Sequence, residues 1–152
     1  MTLIAGLACA VSSEAQIQKA AMRTSGLSCG FCSTLSEYNF KQMPGVDKVQ
    51  ISLSKEIVIV TYKPGAHFDP TGIRKVLEPW KVDIVQFQVN ARGRVQQERG
   101  KSVFVAGNDK FVILPNSNGP VVPADTPVEI VGTVNDRANP KELRILSFKP
   151  AP

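Results

Sequence analysis

Residues 22–32, MRTSGLSCGFC, are the stretch that decides the fold of this chain. Cys29 and Cys32 lie three residues apart, and Gly26 ends a run that alternates apolar and polar side chains. Such alternation is typical of a β-strand. The run after Cys32 predicts a helix that ends at Pro44, because proline cannot continue a helix. The two cysteines are therefore expected at a strand-to-helix junction.

The cysteine pair indicates a soft metal ion as its ligand. A helix N-terminus carries partial positive charge and unpaired amides, which lower the pKa of a thiol. Thiolate sulfur prefers Cu(I), Zn(II), Cd(II) or Hg(II) to magnesium or calcium. Two thiols suit near-linear Cu(I) or Hg(II), whereas tetrahedral Zn(II) needs two further ligands. His67, the single histidine, falls in a predicted loop and is expected at the surface.

The motif alone leaves other chemistries open. A thioredoxin-like redox pair has the same spacing and also occupies a helix N-terminus, so thiol–disulfide exchange is an equal alternative. A structural disulfide is a third possibility. The sequence has no Ser/His/Asp arrangement, phosphate-binding loop or carboxylate pair that would indicate another enzyme class. A single histidine also makes histidine-dependent catalysis hard to build.

The sequence downstream of the motif predicts a split β-α-β fold. Residues 49–54 alternate apolar and polar side chains, and residues 57–62, IVIVTY, form the partner strand of a hairpin. Asp69 and Pro70 are typical of a helix start, and apolar residues recur at helical spacing over 73–80. A further strand follows. The order strand, helix, strand, strand, helix, strand is ferredoxin-like.

The chain from about Ala20 to Val89 resembles the heavy-metal-associated family. In that family a strand delivers Met-x-x-x-Gly-Met-x-Cys-x-x-Cys, and MRTSGLSCGFC differs only by Leu27 in place of the second methionine. The resemblance implies that Cys29 and Cys32 bind a metal ion and exchange it with a metal-donor or metal-acceptor protein. It favours metal binding over redox chemistry, because a thioredoxin-like fold needs more helix than this chain provides.

Some positions near the motif depart from the family pattern or have a predicted packing role. Leu27 is expected to pack beneath the loop, and Ser36 and Asn39 stand where the first helix usually buries aliphatic residues. Trp80 is expected to be a half-buried anchor, and Phe31 to shield the metal loop or a docking surface. Two methionines are expected in the core rather than as ligands: Met22 and Met43.

The remainder of the chain lacks a helical period. Its predicted strands are 87–95, 102–106, 110–114, 127–134 and 142–148. Short strands with turn residues between them indicate a small barrel, most like an oligonucleotide/oligosaccharide-binding (OB) fold. The first strand is expected to serve both halves. Nucleic-acid or saccharide binding is an alternative function for this barrel, with these candidate side chains: Phe104, Phe111, Phe148, Arg92, Arg94, Arg99 and Lys101. Three phenylalanines in a small barrel are more often its core, and we do not expect nucleic acid as a partner.

The bulk properties indicate a globular protein that does not span a membrane. The net charge is +5 and the pI about 9.3, but the basic residues are scattered, as on a solvated surface. Residues 1–10 are apolar and uncharged, and Ser13 and Ala15 match the −3 and −1 positions of a signal-peptidase site. We expect a periplasmic or secreted protein that begins at Gln16, and a cytoplasmic one if this segment is not a signal.

The sequence therefore predicts an α+β protein with a signal peptide at 1–15, a heavy-metal-associated-like ferredoxin-like domain at 16–89 and an OB-like β-domain at 90–152. Its predicted function is the binding and transport of a soft metal ion through Cys29 and Cys32. Cu(I) is the first candidate, with Hg(II) or Zn(II) as alternatives. We expect no enzymatic activity; the competing functions are a thiol–disulfide oxidoreductase and an OB-type binding module.

Overall fold

The computed structural model describes residues 15–116 and 118–151. Its elements follow the predicted order. They are β1 (Gln16–Ser25), α1 (Gly30–Gln42), β2 (Val46–Ser52), β3 (Ile57–Tyr62), α2 (Pro70–Leu77), a short 3-10 helix (Glu78–Trp80), β4 (Asp83–Glu98), β5 (Lys101–Ala106), β6 (Asp109–Ile113), β7 (Val128–Asn135) and β8 (Glu142–Pro150). The predicted signal segment, with Cys9, lies outside the described residues except for Ala15.

The α/β half, residues 16–82, has the predicted alternation of strands and helices. Together with β4, its strands form the antiparallel order β2-β3-β1-β4. Helix α1 packs against β2 and α2. Asp69 caps α2 as predicted, because its carboxylate accepts a 2.9 Å hydrogen bond from the Gly72 amide. This arrangement is compatible with a ferredoxin-like fold within an α+β protein.

Strand β4 belongs to both halves of the molecule, as predicted. It pairs with β1 over Asp83–Arg92 and with β5 over Arg94–Glu98. Gly93 lies between these two stretches, where a Cβ would come within 2.1 Å of the Val105 carbonyl oxygen. Only glycine allows this approach. The predicted boundary between residues 89 and 90 falls inside this continuous strand.

The β half, residues 101–150, consists of β5 to β8. The pairings β4–β5, β5–β6, β6–β8, β8–β7 and β7–β4 form a closed cycle in which β6 and β8 are parallel. All other pairs are antiparallel. A closed cycle pairs the main-chain groups that an open sheet would leave exposed at its edges.

A single apolar core extends through both halves. One of its members is Phe68, which is 1% exposed and lies in the loop before α2. The Phe68 ring meets Phe87 of β4 edge-on at 5.7 Å and Phe111 of β6 at 6.3 Å. The Phe68 amide also donates a 3.0 Å hydrogen bond to the Asp109 carboxylate. This loop therefore joins the α/β half to the β half.

A second contact between the halves is an ion pair. The Arg74 guanidinium of α2 donates two hydrogen bonds of 2.8 Å to the Asp136 carboxylate, which follows β7. It also lies over the Phe87 ring, 5.3 Å from the ring centroid. The Arg74 guanidinium lowers the pKa of the Asp136 carboxyl through these hydrogen bonds. The pair is bidentate, the strong geometry for such contacts.

Two packing predictions for the α/β half need comment. Ser36 is fully buried in α1, and its hydroxyl has no hydrogen-bond partner among the residues that the structure describes. Asn39 is exposed, so the expectation that it occupies a buried position was wrong, because α1 turns Phe40 inward instead. Trp80 is half-buried, as predicted.

No described helix combines the length and apolar character that a membrane crossing requires.

Candidate metal centre

The candidate site begins where β1 ends. Gly26 has a φ of +94°, in the left-handed region that favours glycine. A Cβ at this position would lie 3.3 Å from the Lys81 carbonyl oxygen. Leu27 then turns inward and is 1% exposed. The Leu27 side chain thus anchors the loop from below, as predicted, while the next residues run toward solvent.

Cys29 is the N-cap of α1. Its backbone is extended (φ −103°, ψ 120°), and its Sγ accepts a 3.2 Å hydrogen bond from the Cys32 amide. The first helical hydrogen bond runs from the Ser33 amide to the Cys29 carbonyl, at 3.0 Å. A side chain that accepts from the first turn is what a helix N-terminus requires. The thiol here takes the place of the usual hydroxyl or carboxylate.

The two cysteines meet at the surface. Both are thiols; Cys29 is exposed and Cys32 half-buried. A hydrogen bond with the Cys29 side chain raises the pKa of the Cys32 thiol, and burial and the charge of Cys29 add to this rise. This shift of the Cys32 pKa is opposite in direction to the lowering expected at a helix N-terminus, and its largest cause is the hydrogen bond with the Cys29 side chain. The pair places two soft sulfur donors together at the surface, and such donors prefer a soft cation.

A residue that the sequence did not single out also contacts this loop. Glu56, the last residue of the β2–β3 turn, accepts hydrogen bonds from the amides of Gly26 at 2.9 Å and Leu27 at 3.1 Å. In the sequence it falls between the two predicted strands of the hairpin, residues 49–54 and 57–62. No local pattern indicates this contact, because the two partners are 29 and 30 residues away.

The remaining predicted residues lie away from the pair or inside the fold. His67 is at the surface, as predicted, and its Nδ1 lies 2.7 Å from the Asp109 carboxylate. His67 lies near the start of β1, because the side chain of Gln16, the first residue of that strand, forms hydrogen bonds with the main chain of Lys63 and Gly65. The two cysteines follow the end of the same strand. Met22 is fully buried and Met43 packs against the core, both as predicted. The Phe31 side chain lies outside what the structure describes.

No cluster of three or more His, Cys, Asp or Glu side chains suited to a metal is found within residues 15–116 and 118–151.

The aromatic candidates for nucleic-acid binding lie mostly in the core: Phe104 is 0% and Phe111 1% exposed. Arg92 forms an ion pair with Glu129. The predicted core role of these phenylalanines is confirmed.

Comparison with known proteins gives partial matches to copper-handling domains. No protein-family model matches the chain. No curated protein matches it either. Among solved structures, a CopZ metallochaperone is 22% identical with a TM-score of 0.40, covering 44% of this chain and 98% of its own. The yeast copper transporter domain Ccc2A, solved in its apo and Cu(I) load states, is 22% identical with a TM-score of 0.39, covering 46% and 97%.

A third structure, described as concerning crosstalk between Cu(I) and Zn(II) homeostasis, is 21% identical with a TM-score of 0.38. It covers 47% of this chain and 97% of its own. Each match therefore accounts for nearly all of the other chain and for less than half of this one.

Proposed function

We propose that this protein binds a soft metal ion between Cys29 and Cys32 and carries it to or from a thiol-bearing partner protein. The observation that carries the proposal is the geometry of the pair at the exposed N-terminus of α1, where the Cys29 Sγ caps the helix and accepts a 3.2 Å hydrogen bond from the Cys32 amide. Thiols placed together before the ion arrives do not have to be ordered by it. In this proposal the metal is cargo and the protein is not an enzyme.

The donor set supports Cu(I) as the ion. Two thiolates are soft donors, and they match the low coordination number that Cu(I) accepts. Hg(II) has the same preference, and both remain outcomes of the binding test. Zn(II) requires two more ligands. His67 lies beside Asp109 near the other end of β1, and no group of three or more His, Cys, Asp or Glu side chains suited to a metal occurs among the described residues.

Transfer would proceed by thiolate exchange. A cysteine thiolate of the partner forms a third metal–sulfur bond, and one bond to Cys29 or Cys32 then breaks. The released sulfur takes up a proton, and a second exchange completes the transfer, so the metal keeps its oxidation state. The exposure of Cys29 supports this route, because an incoming sulfur has access to the ion.

For the β half we propose an OB-like barrel, formed by β4 to β8, that stabilises the metal-binding domain or helps to dock the partner. The closed cycle of strand pairings supports this assignment. The two domains in this proposal are residues 16–89 and 90–152, joined through β4 without a linker. Burial of Phe104 and Phe111 argues for packing rather than base stacking by these rings.

We also propose that the protein is exported, with residues 1–15 removed. In support, β1 begins at Gln16, the residue that cleavage after Ala15 would leave first, and the Gln16 side chain is buried. Mass spectrometry of the protein from fractionated cells tests this. A periplasmic species that starts at Gln16 is the expected result, and a cytoplasmic species that retains residues 1–15 would refute it.

The decisive experiment is a titration of Cu(I) into the reduced full chain under oxygen-free conditions against a competing chelator. All proteins carry Cys9→Ser, so that only the paired thiols are present. The expected result is tight one-to-one binding that is lost in the Cys29→Ser/Cys32→Ser variant. Equal weak binding by both proteins would refute the copper proposal. Hg(II), Zn(II) and reduction of insulin would then be tested in turn, the last as the readout of a thiol–disulfide oxidoreductase.

A further inference from the structure

The metal-binding loop is fixed from two sides. Below it, the buried Leu27 side chain fills a place in the core. Above it, one carboxylate oxygen of Glu56 accepts hydrogen bonds from two successive amides, those of Gly26 at 2.9 Å and Leu27 at 3.1 Å. Successive amides that converge on one anion form a compact binding concavity. The chain continues from there through a single residue to Cys29.

Glu56 is itself held in an unusual conformation. Its φ is +51°, in the left-handed region that β-turns usually give to glycine, asparagine or aspartate. Its carbonyl oxygen accepts hydrogen bonds of 2.8 Å from both the amide and the hydroxyl of Thr24. The main chain of Glu56 thus pairs with the end of β1, while its side chain reaches over to the loop. A strained position kept by a residue other than glycine indicates that the side chain has a role.

We infer that Glu56 is a positioning residue for the metal-binding loop: its carboxylate holds the loop main chain so that the two thiols converge before the ion arrives. The residue acts through the main chain of the loop, where its carboxylate accepts from the Gly26 and Leu27 amides. This inference rests on the proposed metal-binding function. It assigns to the β2–β3 turn a part in metal affinity that the cysteine motif alone does not contain.

The test compares two substitutions of Glu56 in the full chain with Cys9→Ser. Glu56→Ala removes the oxygen that accepts both hydrogen bonds, and Glu56→Gln keeps an amide oxygen that the loop amides can use. We expect Glu56→Ala to weaken Cu(I) binding by about 10- to 100-fold, the usual effect of losing a group that orients a metal ligand. Glu56→Gln should stay close to the unsubstituted protein. Hydrogen exchange at the Gly26 and Leu27 amides should accelerate in the alanine variant only.

The matched control is Thr24→Val, which removes the hydroxyl contact to the Glu56 carbonyl but leaves the carboxylate and the loop amides in place. It should lower the melting temperature without changing Cu(I) affinity, which separates loop positioning from general stability. If Glu56→Ala is too unstable to purify, Glu56→Lys takes its place, because lysine also lacks the acceptor oxygen. Glu56→Lys is then compared with Glu56→Gln.

The outcomes distinguish this inference from the function on which it rests. If the unsubstituted protein binds neither Cu(I) nor Hg(II), the proposed function fails and the inference fails with it. If it binds tightly and Glu56→Ala binds equally tightly, only the positioning role is overturned. Equal weakening by Glu56→Ala and Thr24→Val would also overturn it, because the effect would then follow stability.

Discussion

The two halves of the molecule place their polar main-chain groups differently. In the β half, the strands pair in a closed cycle through β4, and so their amides and carbonyls are used within the sheet. In the α/β half, helix α1 begins at the surface. The first four amides of a helix have no partner within the helix. Cys29 accepts from one of them. The candidate metal centre therefore lies where the fold leaves main-chain amides to be capped by a side chain.

The halves also differ in what they share. Cysteines within the described residues belong to the α/β half alone, whereas the core contacts run across the junction through Phe68, Phe87 and Phe111. We therefore expect the halves to unfold together although only one carries the site. Substitutions at the junction between the halves are expected to change stability more than substitutions near the candidate site.

Phe68→Ala is expected to have the largest effect. It removes the ring that joins the halves, and truncation of a buried phenylalanine typically lowers the free energy of unfolding by about 3–5 kcal/mol. Urea unfolding should be followed by the fluorescence of Trp80, the single tryptophan and a probe of the α/β half, and by far-UV circular dichroism. Both signals should shift together to lower urea concentration.

The control for this substitution is Tyr38→Ala, which truncates an aromatic side chain that is 62% exposed on α1. It should change stability by less than about 0.5 kcal/mol. Two separate transitions in the unsubstituted protein, one seen only by Trp80, would show that the halves fold independently and would contradict the shared core.

Asp136→Asn tests the ion pair across the junction. A hydrogen-bonded charged pair of this kind contributes about 1–3 kcal/mol, so the variant should be less stable by that amount at pH 7. Arg74 lowers the Asp136 pKa in the folded protein. The stabilisation is therefore complete above the unfolded pKa of about 3.9 and is lost as the pH falls through the lower, folded value. The difference between the unfolding free energies of the two proteins should stay constant from pH 7 to about pH 4, and it should shrink as the pH is lowered further.

The matched control is Glu37→Gln, which breaks the exposed Glu37–Lys41 pair within α1. Pairs of that kind contribute about 0.3–0.5 kcal/mol. An Asp136→Asn variant that is no less stable than Glu37→Gln at pH 7 would mean that the junction does not depend on this contact.

Gly26→Ala tests the loop that leads to the site. The left-handed conformation costs about 1–2 kcal/mol for a residue with a Cβ, and that Cβ would stand 3.3 Å from the Lys81 carbonyl oxygen. We expect a loss of stability of this size together with weaker Cu(I) binding. Gly30→Ala, inside the motif, is the control, because a Cβ there has no neighbour within 4 Å. Calorimetry that finds equal stability for the two variants would contradict the loop geometry.

Ser36→Ala should have the smallest effect, and it should stabilise the protein. The Ser36 hydroxyl is buried without a hydrogen-bond partner among the described residues, and removing such a group recovers about 1 kcal/mol. Ser33→Ala is the control, because the Ser33 hydroxyl donates a 2.8 Å hydrogen bond to the Gly30 carbonyl and should give no gain. A melting temperature for Ser36→Ala at or below that of the unsubstituted protein would contradict the assignment.

Prediction from the sequence succeeded where the signal was local. The apolar run IVIVTY placed β3, and Asp69-Pro70 placed the start of α2. The cysteine spacing and the glycine before it placed the motif at the junction of β1 and α1. It failed for the exposure of Asn39, because the direction in which α1 turns its side chains depends on the packing partners of the helix.

By itself, the sequence determined the order of the elements and the position of the cysteine pair, because periodicity, caps and turn residues act within a few neighbouring positions. Only the tertiary structure decided which distant groups meet them. The Glu56 carboxylate joins Leu27 across 29 residues, Asp109 joins Phe68 across 41, and Asp136 joins Arg74 across 62. Such contacts leave no periodic trace in the chain, since they follow from how the strands are paired and not from any local preference of the residues that make them.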